Sequence, residues 1–243
     1  MADQLQFTRD GAIGRLTINR PEKQNMLTLA QLLELNQMLA KAGTDPALKA
    51  IVIAGAGADF CRGRDPAGAP EKAPTTALAM RSALMDPILG FYNAARACEV
   101  PLIAAVQGAA LGFGCAVAAV CDVTIATDDA RFAFPEMRHD LAPTLAMSAA
   151  LDRIPSKAML WMVYSTKEID ARTAFGYGLA SQVVPRAGLD AAVKEITDAL
   201  GTPRRESIVT VKRYAQRARL SDMQSASDLA SNMLAVVLSS KSG

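Results

Sequence analysis

The stretch Leu111 to Asp122, LGFGCAVAAVCD, places two glycines one residue apart before a run of small apolar residues and a single carboxylate. Glycine-flanked turns let backbone N–H groups approach a ligand closely, and a helix that begins at such a turn points its positive end at an anion. The turn could therefore stabilise negative charge on an oxygen atom. No residue after the glycines supplies an acid or a base before Asp122. The stretch predicts either an anion cradle or an ordinary tight turn before a buried helix.

Two other interpretations of this region fit the residues less well. Residues 100–121 carry no charge, as a membrane helix would, but Pro101 and the glycines at 108, 112 and 114 interrupt them. A dinucleotide-binding loop would need a small residue where Val117 stands, and an acidic residue at the end of a second strand. We expect a buried strand, a glycine turn and a buried helix.

Composition limits the classes of function that the chain can serve. The 243 residues are 51% apolar with a formal net charge of +2, enough for one large core and without the basic excess of a nucleic-acid-binding protein. The basic segment 211–219, VKRYAQRAR, is expected to be a solvated helix face. Cysteines occur at 61, 98, 115 and 121 without a C-x-x-C pair, and a zinc site would need more histidines than the single one in the chain. Buried, reduced cysteines in a cytoplasmic protein are expected.

Strands and helices alternate in the first two thirds of the chain, and helices dominate the last third. Asp10-Gly11, between alternating runs at 5–9 and 13–19, predicts a hairpin, and Thr28 can cap a helix that runs to about Lys41. Further strands are expected at 50–54, 102–106, 122–126, 130–134 and 182–184, and further helices at 76–97 (broken at Pro87), 144–154, 156–164, 171–177 and over most of 189–243. Residues 66–74 predict a mobile loop. The pattern indicates an α/β core with a helical C-terminal extension.

The chain resembles the crotonase superfamily, the enoyl-CoA hydratase/isomerase family, over nearly its whole length. Five motifs in the order and at the spacing of the family carry the resemblance: NRPEKQNML (19–27), GAGADFCRGRD (55–65), AAVQGAALGFGCAVAAVCD (104–122), FAFPEM (132–137) and IDARTAFGYGLASQVVP (169–185). Each motif alone is modest, but together they are specific.

The resemblance implies an α/β fold in which a crotonase-like spiral of ββα units occupies residues 1–187. Residues 188–243 would form a C-terminal helical region that packs homotrimers, often paired into hexamers as dimers of trimers. The resemblance also implies acyl-CoA thioester substrates of fatty acid metabolism, with coenzyme A as part of the substrate and no separate cofactor or metal. We expect a cytoplasmic enzyme with no nucleic-acid or membrane partner.

By resemblance, the backbone N–H groups of Arg64 and Phe113 form an oxyanion hole, and Glu136 is the general base. A thioester oxygen gains negative charge when an enolate forms, and each N–H donor aimed at it can contribute about 3–4 kcal/mol. The residues expected to bind the CoA part of the substrate are Lys23, Gln24, Arg62, Asp65 and Gly112.

The chain departs from the family at the second acid/base position. Hydratases of the family carry two glutamates, which can hold a water molecule between them and share the proton transfers of hydration. Here Pro135-Glu136 matches one position, and Ala116 stands at the other. A single glutamate is the pattern of the isomerases of the family, which need one base, and also of some lyases.

Polar residues near Gly63 and after Glu136 leave further alternatives open. Arg62 and Arg64 stand where the family often has small residues, and strand alternation would place both side chains on one face. They could meet CoA phosphates or an acidic group on the acyl chain, or be solvated at a loop edge. His139 and Asp140 follow the base, as auxiliary acids or as solvated loop residues.

The sequence therefore favours an enoyl-CoA hydratase/isomerase-type enzyme in which one glutamate moves a proton, with isomerisation favoured over efficient hydration. One alternative is a crotonase-type hydrolase or decarboxylase, with His139 or Asp140 handling water. Another is a non-catalytic CoA-binding or assembly protein.

Overall fold

The computed structural model describes residues 4–67 and 74–240. The strands are β1 (Leu5–Asp10), β2 (Ile13–Ile18), β3 (Ala50–Gly55), β4 (Leu102–Val106), β5 (Ala109–Leu111), β6 (Val123–Thr127), β7 (Arg131–Ala133), β8 (Ile169–Asp170) and β9 (Gln182–Val184). The α-helices are α1 (Leu29–Gly43), α2 (Ala77–Met80), α3 (Asp86–Ala97), α4 (Phe113–Val120), α5 (Thr144–Ala150), α6 (Ser156–Ser165), α7 (Ala171–Gly176), α8 (Leu189–Gly201), α9 (Arg205–Ala218) and α10 (Met223–Ser239). Short 3₁₀ helices cover Pro21–Lys23, Glu136–His139 and Arg186–Gly188.

The first sheet contains six strands in the order β1-β2-β3-β4-β6-β9, and the second contains β5, β7 and β8. β1 is antiparallel to β2, whereas β2, β3, β4, β6 and β9 pair in parallel. Every residue of β4 is buried, as expected of a parallel strand covered on both faces. The structure confirms the mixed α/β fold class.

Alternate side chains of the central strands pack into two apolar layers. Ile51 and Ile53 of β3 belong to the larger core cluster with residues of α1, α3 and α4. Val52 belongs to a smaller cluster on the opposite face, where α8 contributes Ala192 and Val193. The sheet is therefore sandwiched between α8 and the helices that surround the candidate site.

Several local predictions are confirmed. The Asp10-Gly11 turn joins an antiparallel hairpin, and the side chain of Thr28 caps α1 in a reciprocal capping box with Gln31. All four cysteines are free and buried.

Other local predictions need correction. The helix expected at 76–97 changes to π-helical geometry over Arg81–Met85, and Pro87 lies in the first turn of α3, where its missing N–H costs no hydrogen bond. The helix expected at 144–154 ends at Ala150, and the three-residue β5 and two-residue β8 were not expected. Of the loop at 66–74, residues 68–73 lie outside the described residues.

A buried ion pair fixes the C-terminal helices to the sheet layer. Nζ of Lys212, on α9, lies 2.8 Å from Oδ2 of Asp122 and donates to the carbonyls of Ala95 (3.3 Å) and Val100 (3.0 Å). The Lys212 side chain is 4% exposed, so its charge depends on these partners. None of the helices in residues 4–67 and 74–240 is long and apolar enough to cross a membrane.

Replacing Lys212 by Met should lower the free energy of unfolding by about 3–5 kcal/mol, the usual cost of removing one partner of a buried ion pair. The methionine keeps the aliphatic packing, but Asp122 loses its buried cationic partner, and the carbonyls of Ala95 and Val100 lose the ammonium donor. Equilibrium urea denaturation measures the change.

Lys194→Met provides the matched control, because Lys194 pairs with Asp198 on the exposed surface of α8. Its expected cost is below about 1 kcal/mol. Equal costs for the two variants would contradict an anchoring role of Lys212.

Candidate active site

The segment that carries the two arginines, residues 61–65, lies between β5 and the backbone around Leu27. On one side, the N–H of Leu111 donates to the carbonyl of Cys61 at 3.0 Å. On the other side, the N–H of Leu27 donates to the carbonyl of Gly63 (3.1 Å), and that of Asp65 donates to Leu27 (2.9 Å). Main-chain hydrogen bonds therefore fix this segment from both sides.

Two glycines let the first turn of α4 approach this segment. A Cβ atom built on Gly114 would lie 1.9 Å from the carbonyl oxygen of Cys61, a distance that no side chain can occupy. Gly112 has φ 52° and ψ −116°, and its N–H donates to Ala133 at 2.9 Å. Only glycine adopts this backbone conformation without strain. The LGFG turn is thus set by close packing and by a positive φ.

The two predicted oxyanion donors lie on neighbouring backbone turns. A Cβ atom built on Gly63, the residue before Arg64, would lie 3.8 Å from the backbone N of Phe113. Phe113 begins α4, so its N–H has no partner within the helix. Among the described residues, the backbone N–H groups of Arg64 and Phe113 donate to no hydrogen-bond acceptor. The structure brings two free donors together.

Glu136 lies beside the same glycine turn, at the start of the 3₁₀ helix Glu136–His139 that follows β7. A Cβ atom built on Gly112 would lie 3.1 Å from its Oε1. Its Oε2 is buried and has no hydrogen-bond partner among the described residues. Burial raises the pKa of the Glu136 carboxyl group above its usual value, opposed by its own backbone N–H. A raised pKa brings a carboxylate closer to the proton affinity that a general base needs.

Helix α4 brings no second carboxylate to this place. Ala116 is fully buried one turn after Gly112, to whose carbonyl its N–H donates at 3.0 Å. All eight residues of α4 are uncharged. To the candidate site, α4 therefore contributes the N–H groups of its first turn and apolar side chains, but no acid or base.

The two arginines of the segment have different environments. Arg62 is exposed, with its Nε 3.3 Å from Oδ2 of Asp59, and its N–H donates to the carbonyl of Gln24 at 3.2 Å. The exposed Lys23-Gln24 turn is thus next to Arg62. The Arg64 side chain is half-buried, and its buried Nε has no hydrogen-bond partner in the described part of the chain. Burial lowers the pKa of the Arg64 guanidinium.

Asp65 is engaged within the protein. Its Oδ1 accepts from the N–H of Ala67 (2.9 Å), and its Oδ2 lies 3.1 Å from Nη2 of Arg20. The hydrogen bond from the Ala67 N–H, and after it the Arg20 guanidinium, hold the pKa of Asp65 below its usual range. Its carboxylate supports the loop that carries Arg64.

Sequence reasoning missed two polar residues that hold this loop. Arg20 is 7% exposed and also donates to the carbonyl of Met26 and to Oε1 of Gln31 (2.9 Å). Asn25 is fully buried, and its Nδ2 donates to the carbonyls of residues 56 and 59, each at 2.8 Å. Both lie in the NRPEKQN motif. Polar residues next to a proline are typical of a solvated turn, so the motif did not indicate that these two side chains are buried.

His139 and Asp140 are exposed. Asp140 closes the 3₁₀ helix in the left-handed conformation (φ 56°) and lines a mostly apolar groove of about 390 Å³ with Met137, Leu141 and Leu160. Within residues 4–67 and 74–240, no three side chains of the metal-binding types come together.

The chain is similar to known proteins of one family. The sequence profile described as enoyl-CoA hydratase/isomerase matches residues 8–242. A probable enoyl-CoA hydratase of Mycobacterium bovis is 34% identical over 178 residues, covering 73% of this chain and 67% of the relative. The 2,3-dehydroadipyl-CoA hydratase of Escherichia coli is 35% identical over 183 residues, covering 75% and 69%.

Solved structures of similar proteins share the fold. An enoyl-CoA hydratase of Mycobacterium smegmatis superposes with a TM-score of 0.90 at 28% identity, covering 97% of this chain and 91% of that chain. A putative enoyl-CoA hydratase of Thermobifida fusca, in complex with CoA, superposes with a TM-score of 0.84 at 25% identity, covering 98% and 94%.

Gly114→Ala should disrupt the packing that aligns the two N–H donors. The methyl group would displace the Cys61 carbonyl or the start of α4, at a cost of about 1–3 kcal/mol in the free energy of unfolding. Misplacing one donor should lower kcat about 100-fold. Thermal denaturation and turnover of an enoyl-CoA substrate measure the two effects.

Gly176→Ala is the control, because a Cβ atom there would meet nothing within 4 Å. This variant should keep the wild-type melting temperature and activity. If Gly114→Ala behaved in the same way, close packing at Cys61 would not define the turn.

Glu136→Gln should stabilise the protein at neutral pH. Because the carboxyl pKa is raised in the folded state, wild-type stability is fully present below the unfolded-state pKa and falls as pH rises through the folded-state pKa. Glutamine does not titrate, so the variant avoids this loss. Urea denaturation at pH 7 and pH 4 should show an advantage that shrinks at the lower pH. The exposed Glu195→Gln is the matched control, and it should change the free energy of unfolding at pH 7 by less than about 0.5 kcal/mol.

Proposed function

The chain belongs to the enoyl-CoA hydratase/isomerase family, and from this premise we propose that it acts on acyl-CoA thioesters through an enolate. The N–H groups of Arg64 and Phe113 stabilise the enolate oxygen, and Glu136 is the single general base. One observation carries the proposal: the Glu136 carboxylate, with its Oε2 buried and unpaired, places its Oε1 against Gly112, in the turn that presents the Phe113 donor.

Isomerisation of a 3-enoyl thioester is the reaction that this set of groups fits best. Glu136 takes a proton from C2, and the electrons of that C–H bond move into a dienolate with its negative charge on the thioester oxygen. The two N–H donors stabilise this charge. Protonated Glu136 then returns the proton to C4, the 3,4 double bond becomes a 2,3 double bond, and the carboxylate is regenerated. One base is sufficient, so Ala116 is no obstacle.

The exposed cations near the site support binding of coenzyme A. Lys23 and Arg62 lie on adjacent turns joined by the hydrogen bond from Arg62 to Gln24. We assign these three residues to the CoA phosphates or adenosine part, where ammonium and guanidinium groups are suitable partners. Gly112 lines the thioester end, and Asp65 contributes indirectly by holding the loop.

The helices of residues 188–243 are proposed to pack three chains into a homotrimer. Two such trimers can then pair to form a hexamer. Large apolar side chains of α9 and α10 are exposed in one chain, among them Val211 (70%), Leu234 (57%) and Val236 (68%). Apolar surface of this extent is typical of an interface between subunits. The free, buried cysteines support a reducing compartment such as the cytoplasm.

The alternatives have less support. A hydrolase or decarboxylase would rely on His139 or Asp140 for water, but both side chains are exposed. A purely CoA-binding protein would not need a carboxylate with a buried, unpaired oxygen beside the proposed anion cradle.

Turnover of a 3-enoyl-CoA to the 2-enoyl-CoA, followed by absorbance of the conjugated thioester, tests the proposal. Wild-type protein should catalyse the reaction, and Glu136→Gln should lower kcat by about 10²–10⁴-fold, the usual contribution of a general base. The variant should still bind acyl-CoA, measured by calorimetry, because the hole is made by backbone groups.

Two results would contradict the proposal. Unchanged turnover in Glu136→Gln would exclude Glu136 as the base. Binding of acyl-CoA without any turnover by the wild-type protein would favour the non-catalytic alternative.

A further inference from the structure

The side chain of Arg64 has no part in the proposed reaction, which uses only the backbone N–H of this residue. Along residues 61–65 the odd-numbered residues are buried, whereas Arg62 is exposed and Arg64 is half-buried. This alternation is that of an extended segment, and a parallel bridge pairs Arg64 with Leu27. The side chains of the two arginines therefore lie on one face of the segment, opposite the buried side chain of Asp65.

The Arg64 guanidinium has no counter-ion among the described residues. Its Nε is buried without a hydrogen-bond partner. The two acidic residues closest to it in sequence are already engaged. Asp65 pairs with Arg20 at 3.1 Å, and Asp59 pairs with Arg62 at 3.3 Å. Burial lowers the pKa of the guanidinium, and no carboxylate of the described chain opposes this shift. A partly buried cation without a partner is unfavourable for folding, which is the usual mark of a group kept for a ligand.

The backbone of Arg64 places this cation at the thioester end of the substrate. Its own N–H is one of the two proposed donors to the thioester oxygen, and the backbone N of Phe113, the other donor, lies 3.8 Å from a Cβ atom built on Gly63. The guanidinium is thus one side chain away from the reacting carbonyl. The whole pantetheine arm separates that carbonyl from the CoA phosphates, to which Lys23 and Arg62 are assigned. An anionic partner of Arg64 would therefore come from the acyl group.

We propose that Arg64 is a specificity-determining residue, and that its guanidinium binds a carboxylate on the acyl group of the substrate. The substrates are then CoA monothioesters of dicarboxylic acids, whose second carboxylate lies within reach of one arginine side chain from the thioester oxygen. A planar guanidinium forms two parallel hydrogen bonds with a carboxylate, and a neutral chain end cannot accept them equally well. The proposal rests on the proposed function, because the same hole orients the thioester.

The preference for a carboxylate is measured with 3-hexenedioyl-CoA and 3-octenedioyl-CoA, each beside the thioester in which a carboxamide replaces the free carboxylate. The members of a pair have nearly the same size and differ in charge. For at least one chain length, wild-type kcat/KM for the diacid thioester should exceed that for the amide by about tenfold or more, the usual contribution of a hydrogen bond to a charged group. Arg64→Met keeps the backbone N–H and the aliphatic stem, and should abolish this preference.

Arg62→Met is the matched control, because it removes the other arginine on the same face of the segment. It should weaken binding of every CoA thioester to a similar degree and leave the ratio of diacid to amide unchanged. Calorimetric binding of adipoyl-CoA and of its monoamide measures the same preference without turnover. This second measurement separates recognition of the carboxylate from the chemistry of the site.

Each outcome decides one of the two proposals. Equal wild-type kcat/KM for diacid and amide at both chain lengths would overturn the role of Arg64 and leave the proposed function intact. So would an equal loss for both thioesters in Arg64→Met, since the guanidinium would then contact the CoA part. A lower melting temperature in Arg64→Met with an unchanged preference would assign the side chain a structural role. Tighter binding of adipoyl-CoA than of its amide, lost in Arg64→Met but without turnover of any 3-enoyl thioester, would keep the recognition and reject the proposed reaction.

Discussion

The closest backbone approach in the candidate site, between Gly114 and the carbonyl of Cys61, is the constraint on which the rest of the site depends. With no side chain between them, the start of α4 and the segment 61–65 share one surface, and two free N–H groups lie near each other. The same turn brings Gly112 against Glu136. One tight contact between main-chain atoms thus determines where the two N–H groups and Glu136 lie relative to one another.

A site of this kind costs stability, and neighbouring contacts offset the cost. Oε2 of Glu136 and Nε of Arg64 are buried without hydrogen-bond partners among the described residues, which is unfavourable for folding. Around them, Arg20 and Asn25 satisfy carbonyls and side chains of the two loops, and both are almost fully buried. The polar network keeps the loops in place, so that the unpaired groups remain available to a substrate.

Sequence patterns predicted most of the elements, because hairpin turns, helix caps and fully apolar strands are local signals. The Asp10-Gly11 hairpin and the Thr28 cap are examples. Sequence patterns did not predict the π-helical segment before Pro87. They also missed the short strands β5 and β8, which depend on pairing with segments distant in sequence. For the site, motifs indicated Arg64, Phe113 and Glu136 as candidates, and the structure places all three around the same glycine turn.

The proposed reaction depends on two kinds of group. The proposed hole is made of backbone N–H groups, so the side chains of Arg64 and Phe113 could change without removing it. Proton transfer would depend on side chains, and α4 carries Ala116 and no carboxylate beside Glu136. The dienolate route needs only one base, which is why the proposed set of groups favours isomerisation over hydration.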